Sequence, residues 1–151
     1  MTDTQKARAV GINHVALEVG DIDEALAFYG KFLQFELRGR SETMAFIDLG
    51  DQFLAMAQVD SQPKDVHRHF GLVVDDKEAV GRKLAEMGIE IVSDRFMDFY
   101  DPWGNKIEVV GYQGIQFTKA SHVLDGMGLA QLEKTEKAIQ ELNEKGMGPN
   151  K

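Results

Sequence analysis

One phrase occurs twice in the chain and decides its fold: "HVALEVGD" at residues 14–21 and "HFGLVVDD" at residues 69–76. Each opens on histidine, alternates along a short apolar run and ends on aspartate ahead of a helix-forming segment. In the first, His14, Ala16 and Glu18 share one face of an extended strand, while Val15, Leu17 and Val19 share the other. In the second, His69, Gly71 and Val73 oppose Phe70, Leu72 and Val74. Both apolar triplets are expected to pack under the helix that follows.

The text after each phrase repeats as well. From Asp21 the chain reads "DIDEALAFYGKFLQFEL", and from Asp75 it reads "DDKEAVGRKLAEMGIEI". A shift of 54 residues lays Asp21 on Asp75, Glu24 on Glu78 and Ala25 on Ala79, whereas the histidines match at 55. Further on, "FIDLGDQFLAM" resembles "FYDPWGNKIEVV", with Phe46 over Phe99 and Asp48 over Asp101. The first helix is expected over 22–33, with Ile22, Ala25, Leu26, Tyr29, Phe32 and Leu33 on one stripe. Asp21 is placed to cap it, and Asp23 and Glu24 suit its positive end. The second is expected over 77–87, burying Val80, Leu84 and Met87 and stopping at Gly88. Three strands follow each helix, at 35–38, 43–49 and 52–58, then at 90–93, 95–100 and 106–111. "LGD" and "DPWGN" are the turns before the last strand of each copy.

The expected architecture is therefore α+β, with two βαβββ modules in one structural domain. A flexible tail covers 1–10, the first module 11–59, a linker 60–67, the second module 68–112 and a C-terminal extension 113–151. The extension carries a helix at about 129–144, with Leu132, Ile139 and Leu142 to one side and Glu133 paired with Lys137, before a frayed "KGMGPNK".

Composition narrows the function. A chain of 151 residues with 43% hydrophobic and 28% charged residues has the make-up of one globular domain. No apolar run approaches the roughly 20 residues of a membrane helix, and the N-terminus carries no hydrophobic signal core. The expected address is the cytoplasm. A formal charge of −8, with no basic stripe, argues against nucleic acid and leaves small molecules or another protein as the expected partners. With no cysteine, any metal has to be held by histidine and carboxylate.

Such a set is on offer. The alternation in "NKIEVV" puts Glu108 on the face away from the helix, as His14 and His69 are in their strands. If two modules curl into a cup, two imidazoles and one carboxylate converge, which suits Fe, Mn, Zn or Ni and leaves positions open for substrate. Ala16 and Gly71, small and on the same faces, leave room above. Glu18, on the His14 face, reads equally as a rim charge or a base. His67 reads as a linker residue, His122 as structural, and Tyr100 and Trp103 as packing around the "DPWGN" turn.

The segments "NHVALEVGDIDEALAFYGKFLQFEL", "HRHFGLVVDD" and "FYDPWGNKIEVV" resemble the vicinal oxygen chelate superfamily. That superfamily includes glyoxalase I, fosfomycin-resistance enzymes, extradiol dioxygenases, methylmalonyl-CoA epimerase and bleomycin-binding proteins. The last segment is close to the family's Asp-Pro-x-Gly-Asn-x-x-Glu ending, and the resemblance spans residues 11–112. It implies paired βαβββ modules forming a cupped mixed sheet, a homodimer, and a divalent metal (Fe, Mn, Zn or Ni) on His14, His69 and Glu108. Glyoxalase I and the epimerase usually add a fourth ligand, Glu or Gln, which here falls on Ala55 or Leu54. Neither side chain can bind a metal, and Gln58 is the nearest polar residue. Three ligands are instead the pattern of the fosfomycin enzymes and dioxygenases. The resemblance implies a metal-dependent lyase, isomerase or dioxygenase acting on a small organic substrate that chelates through oxygen. Glu18 and Glu42 are the candidate bases, and "MAFIDL", "FLAMAQ" and "IEVV" give the cup a mostly apolar lining. The alternatives are a metal-free, ligand-sequestering protein of the bleomycin-resistance kind, and an enzyme that has lost activity.

Overall fold

Alternating strands and amphipathic helices build two sheets around one core. The computed structural model describes residues 7 and 12–149, so the expected tail at 1–10, Ala7 apart, and the last two residues of the expected frayed end lie outside them. The first module consists of β1 (His14–Val19), α1 (Ile22–Gly30), β2 (Leu37–Arg40), β3 (Met44–Asp48) and β4 (Phe53–Gln58). The second consists of β5 (Phe70–Val74), α2 (Lys77–Glu86), β6 (Met97–Tyr100) and β7 (Lys106–Gly111). A 3-10 turn at Tyr112–Gly114, α3 (Ser121–Gly126) and α4 (Glu136–Glu144) complete this mixed α+β fold. Among the described residues no helix is long and apolar enough to cross a membrane.

The strands run β1-β4-β3-β2 in one sheet and β5-β7-β6 in the other, each opening on a parallel pair, β1 with β4 and β5 with β7. The strand expected at 90–93 does not join the second sheet. Ser93 Oγ accepts from the amides of Arg95 and Phe96, so the chain turns where a ladder would continue, and the Val92 amide alone donates to the Asp98 carbonyl. Leu17, Val19, Ile47 and Met56 of the first sheet belong to the same buried cluster as Leu72, Val74, Ile107 and Val109 of the second. Phe32 meets Phe99 edge to face at 5.4 Å across that core. The helix-covered faces thus look inward together, and the faces bearing His14 and His69 lie on the outside.

The helix ends refine the repeat. Asp21 caps α1 as expected, its Oδ1 accepting from the Glu24 amide at 2.8 Å. The helix stops at Gly30 rather than 33, because the amides of Lys31 and Phe32 donate three residues back and tighten the last turn. The cap of α2 is Asp76, not Asp75: its Oδ1 accepts from the Ala79 amide at 2.9 Å. The shift of 55 set by the histidines therefore holds through the caps. A second slip lies in the turns. Asp48 pairs with Phe53 around residues 49–52, and Tyr100 with Lys106 around 101–105, so the second turn is one residue longer. The counterpart of Phe46 is consequently Asp98, while Phe99 points into the core.

The "DPWGN" turn fastens the modules together. Asp101 accepts from the Tyr29 hydroxyl at 2.9 Å, from the amides of Trp103 and Asn105, and from Asn105 Nδ2, which also donates to the Glu18 carbonyl. Burial and the Asp101 carboxylate push the Tyr29 phenol well above its ordinary value. Gly20 has no side chain because a Cβ there would strike the Trp103 indole.

The extension reaches both modules. Gly50, at φ 92°, makes way for Met127 beyond α3, and Lys119 pairs with Asp51. Lys134 donates to the carbonyls of Tyr112, Ile115 and Phe117, and the Thr135 amide donates to Gln113 O at 2.8 Å. These bonds hold the chain extended up to the Thr135 cap, so α4 begins at Glu136 instead of 129, and Glu133 falls outside the helix that contains Lys137.

Candidate functional site

His69 immediately precedes β5. Its Nδ1–H donates to the His67 carbonyl at 2.9 Å, so in the neutral ring the lone pair is on Nε2. That Nε2 stands 3.5 Å from Glu108 Oε2 on the neighbouring β7. Gly71, the register partner of Glu108, has open space where a Cβ would be. The His67 side chain itself is exposed, so its contribution here is its backbone.

His14 opens β1 and is likewise exposed. Its Nδ1–H donates to Asn13 Oδ1 at 2.9 Å, and its ring stacks on Phe53, the residue beside it in β4, at 4.6 Å and 8°. Arg38 lies 4.7 Å from the centre of the same Phe53 ring and bonds Asp48 at 3.2 Å. Ala16 pairs with Ala55 as Gly71 pairs with Glu108, so Ala55 rather than Leu54 is the counterpart of Glu108. Gln58 is spent elsewhere, its Oε1 accepting from the first amide of α1 at 3.2 Å.

The structure therefore brings His69 and Glu108 together and leaves His14 on the outside of the other sheet. Among the described residues, no three His, Asp or Glu side chains within one chain are grouped to hold a metal. Glu18 is exposed on the His14 face, about 13 Å along the strand, and Glu42 is exposed in the turn between β2 and β3. His122 is exposed on α3. Tyr100 donates to the Asp65 carbonyl at 2.9 Å, with Lys64 over its ring. A surface cavity of about 420 Å³ beside the end of α1, lined by Lys31, Gln34, Arg82 and Glu86, contains neither strand histidine.

Three residues escaped the sequence reading. Asn13 orients His14 and Phe53 stacks on it; neither has a sequence signal, since both act through a partner strand or a neighbour's ring. Asp98 is the third. It shares the outward face with its register partner Glu108, is 8% exposed, and has its Oδ2 3.9 Å from Lys106 Nζ. The parity of "MDFY" against "KIEVV" would reveal it once the turn length is known.

Comparisons with known proteins agree with this fold. The family model described as Glyoxalase/Bleomycin resistance protein/Dioxygenase superfamily matches residues 11–109. The glutathione transferase FosA of Serratia marcescens is 26% identical over 110 residues, covering 65% of this chain and 78% of the relative. The crystal structure of a FosX variant from Listeria monocytogenes, complexed with Mn(II) and 1S,2S-dihydroxypropylphosphonic acid, superposes with a TM-score of 0.59 at 18% identity, covering 68% of this chain and 90% of that one. A possible glyoxalase from Bacillus cereus superposes with a TM-score of 0.54 at 26% identity, covering 68% and 99%. The repeated strand-and-helix phrase, the two-sheet architecture and a family match across both modules lead to one conclusion: the chain belongs to the glyoxalase, bleomycin-resistance and dioxygenase superfamily, the vicinal oxygen chelate proteins.

Proposed function

We propose that the protein is a metal-dependent enzyme acting on a small organic substrate that chelates the metal through its oxygens, with His14, His69 and Glu108 as the metal ligands. The observation that carries this reading is the His69–Glu108 pair. Two ligand atoms bound at about 2.1 Å lie about 3.0 Å apart at a right angle and about 3.4 Å apart at the tetrahedral angle, and the observed gap is 3.5 Å. With Nδ1–H held by the His67 carbonyl, the nitrogen that faces Glu108 is the one that would bind a metal. Two imidazoles and a carboxylate fit Fe, Mn, Zn or Ni. The Mn(II) bound by the FosX relative supports a divalent ion.

His14 enters from a second copy. Among the described residues β1 pairs only with β4 and β5 only with β7, so His14 on β1 and His69 just before β5 each lie at a strand with one free edge and on a face that looks outward. Free edges of this kind favour association, and a two-fold homodimer places β1 of one protomer beside β5 of the other. Each cup then has an apolar wall from the first module (Phe46, Phe53 and Ala57) and a polar wall from the second. When bound, the metal supplies Lewis-acid stabilisation of a substrate oxygen. Asn13, Phe53 and the His67 carbonyl hold the imidazoles in place. Glu18 and Glu42 are the candidate bases. The reaction falls among the lyase, isomerase, dioxygenase and group-transfer chemistries of the superfamily; the transferase names of FosA and FosB support including the last.

The test is metal analysis by mass spectrometry on protein purified without tag or chelator, beside His69→Ala and Glu108→Ala. About one equivalent of Fe, Mn, Zn or Ni per chain, lost in both variants, is expected. A parent protein that stays metal-free after reconstitution overturns the reading and leaves a ligand-sequestering binding protein in its place.

A further inference from the structure

Across each sheet, one row of directly paired residues looks outward: Ala16–Ala55–Phe46 in the first and Gly71–Glu108–Asp98 in the second. The rows are counterparts, and only the second is acidic. Directly opposed residues on antiparallel strands have Cβ atoms about 5 Å apart, where two like charges repel. Asp98 is nevertheless 8% exposed, and its Oδ1 is buried with no hydrogen-bond partner among the described residues. Its other oxygen has the Lys106 ammonium at 3.9 Å. A buried carboxylate oxygen without a donor costs folding free energy. The fold does not require one, since the equivalent position in the first module is a half-buried phenylalanine. A local conflict of this sort, retained on the face that carries His69 and Glu108, marks a group kept for binding.

The charge of these faces points to the class of ligand. Lys106 has its ammonium 3.9 Å from Asp98, and Arg38 on the first module's face is committed to Asp48 and to the carbonyls of Gly50 and Gln52. With Glu108 taken up by the metal in this reading, an oxyanion over the polar wall would still meet the Asp98 carboxylate. A hydroxyl or N–H donor would instead satisfy the unpartnered oxygen.

We propose that Asp98 is a substrate-contacting, specificity-determining residue: its carboxylate accepts a hydrogen bond from a neutral chelating substrate and excludes phosphonates and similar oxyanions. The proposal rests on the metal-dependent reading and deepens it by naming the substrate class, a neutral oxygen chelator that carries a hydroxyl or N–H donor. It separates this chain from the FosX relative, whose crystal holds a phosphonic acid.

The experiment uses the full chain loaded with Mn(II), with loading read by electron paramagnetic resonance and probe binding by calorimetry. The probes are glycolamide, a neutral donor-bearing chelator with vicinal oxygens, and anionic methylphosphonate. Asp98→Asn keeps the shape and removes the charge; Asp98→Ser is a smaller neutral replacement. Both are expected to load Mn(II) like the parent, to weaken glycolamide about tenfold and to strengthen methylphosphonate about tenfold, because the carboxylate's charge is gone and Lys106 is left to the anion. Adding Lys106→Met to Asp98→Asn should abolish the gain for methylphosphonate. Neutral variants that load Mn(II) and bind both probes as the parent does overturn the role of Asp98 and leave the metal reading intact. A parent that takes up no Mn(II) overturns the metal reading itself, and this inference with it.

Discussion

Asp101 shows what a single side chain contributes to joining the modules. It is 4% exposed and accepts from Tyr29, Trp103 and Asn105 at once, so every buried lone pair that faces a donor is used. Tyr29→Phe removes one hydrogen bond to a buried carboxylate and should cost about 1.5–3 kcal/mol in urea denaturation. A loss below about 0.5 kcal/mol would show that the phenol is not part of the join. Lys134 is the second informative residue. Burial lowers its ammonium to about 8, below the ordinary lysine value, so above that pH the unfolded chain binds a proton that the folded chain has released. Stability should therefore rise with pH from about 8 towards the ordinary lysine range, and Lys134→Met should flatten that rise in thermal melts. Equal slopes for parent and variant would show that this lysine does not titrate on folding.

The helix termini decide how the two copies of the repeat are aligned. Asp76, not Asp75, occupies the position that Asp21 has in the first copy, because its Oδ1 receives the amide three residues on. Asp76→Ala should cost about 1 kcal/mol and Asp75→Ala less than about 0.5 kcal/mol, measured by the same denaturation. The reverse order would restore the alignment at 54. The extension is a separate element with its own anchors. Thr135 caps α4 through the Ala138 amide at 3.2 Å while its backbone is tied to Gln113. Thr135→Ala should speed hydrogen exchange across Glu136–Glu144 and leave β1 and β5 protected, since the two sheets hold one core without α4. Faster exchange in the strands as well would mean that the extension supports the modules.

At the scale of the whole molecule, the packing of two inward faces on one core determines how a metal site could be completed. His14 is on one outer face, and His69 and Glu108 are on the other. If a dimer brings them together, His14→Ala and Glu108→Ala proteins should each be metal-free, and mixing them under exchange conditions should restore about one metal ion per heterodimer. This follows because one of the heterodimer's two cups keeps all three ligands. Mixed proteins that form heterodimers without regaining metal would sink the shared-site arrangement.

Much of this was legible in the sequence. The period-2 pattern assigned His14 and His69 to one face and Leu17, Val19, Leu72 and Val74 to the other, because strand parity depends only on neighbouring residues. The same parity placed Glu108 opposite Ile107 and Val109, and the "DPWGN" stretch announced its turn. What depends on turn length was not legible: one extra residue moved the partner of Phe46 from Phe99 to Asp98, and one more moved the α2 cap. The relation between modules was also beyond local pattern, since an apolar face reads the same whether it covers its own helix or meets a second sheet. Only tertiary packing decided that the two inward faces share one core and that the histidines lie outside it, because that outcome is set by contacts between residues far apart in the chain.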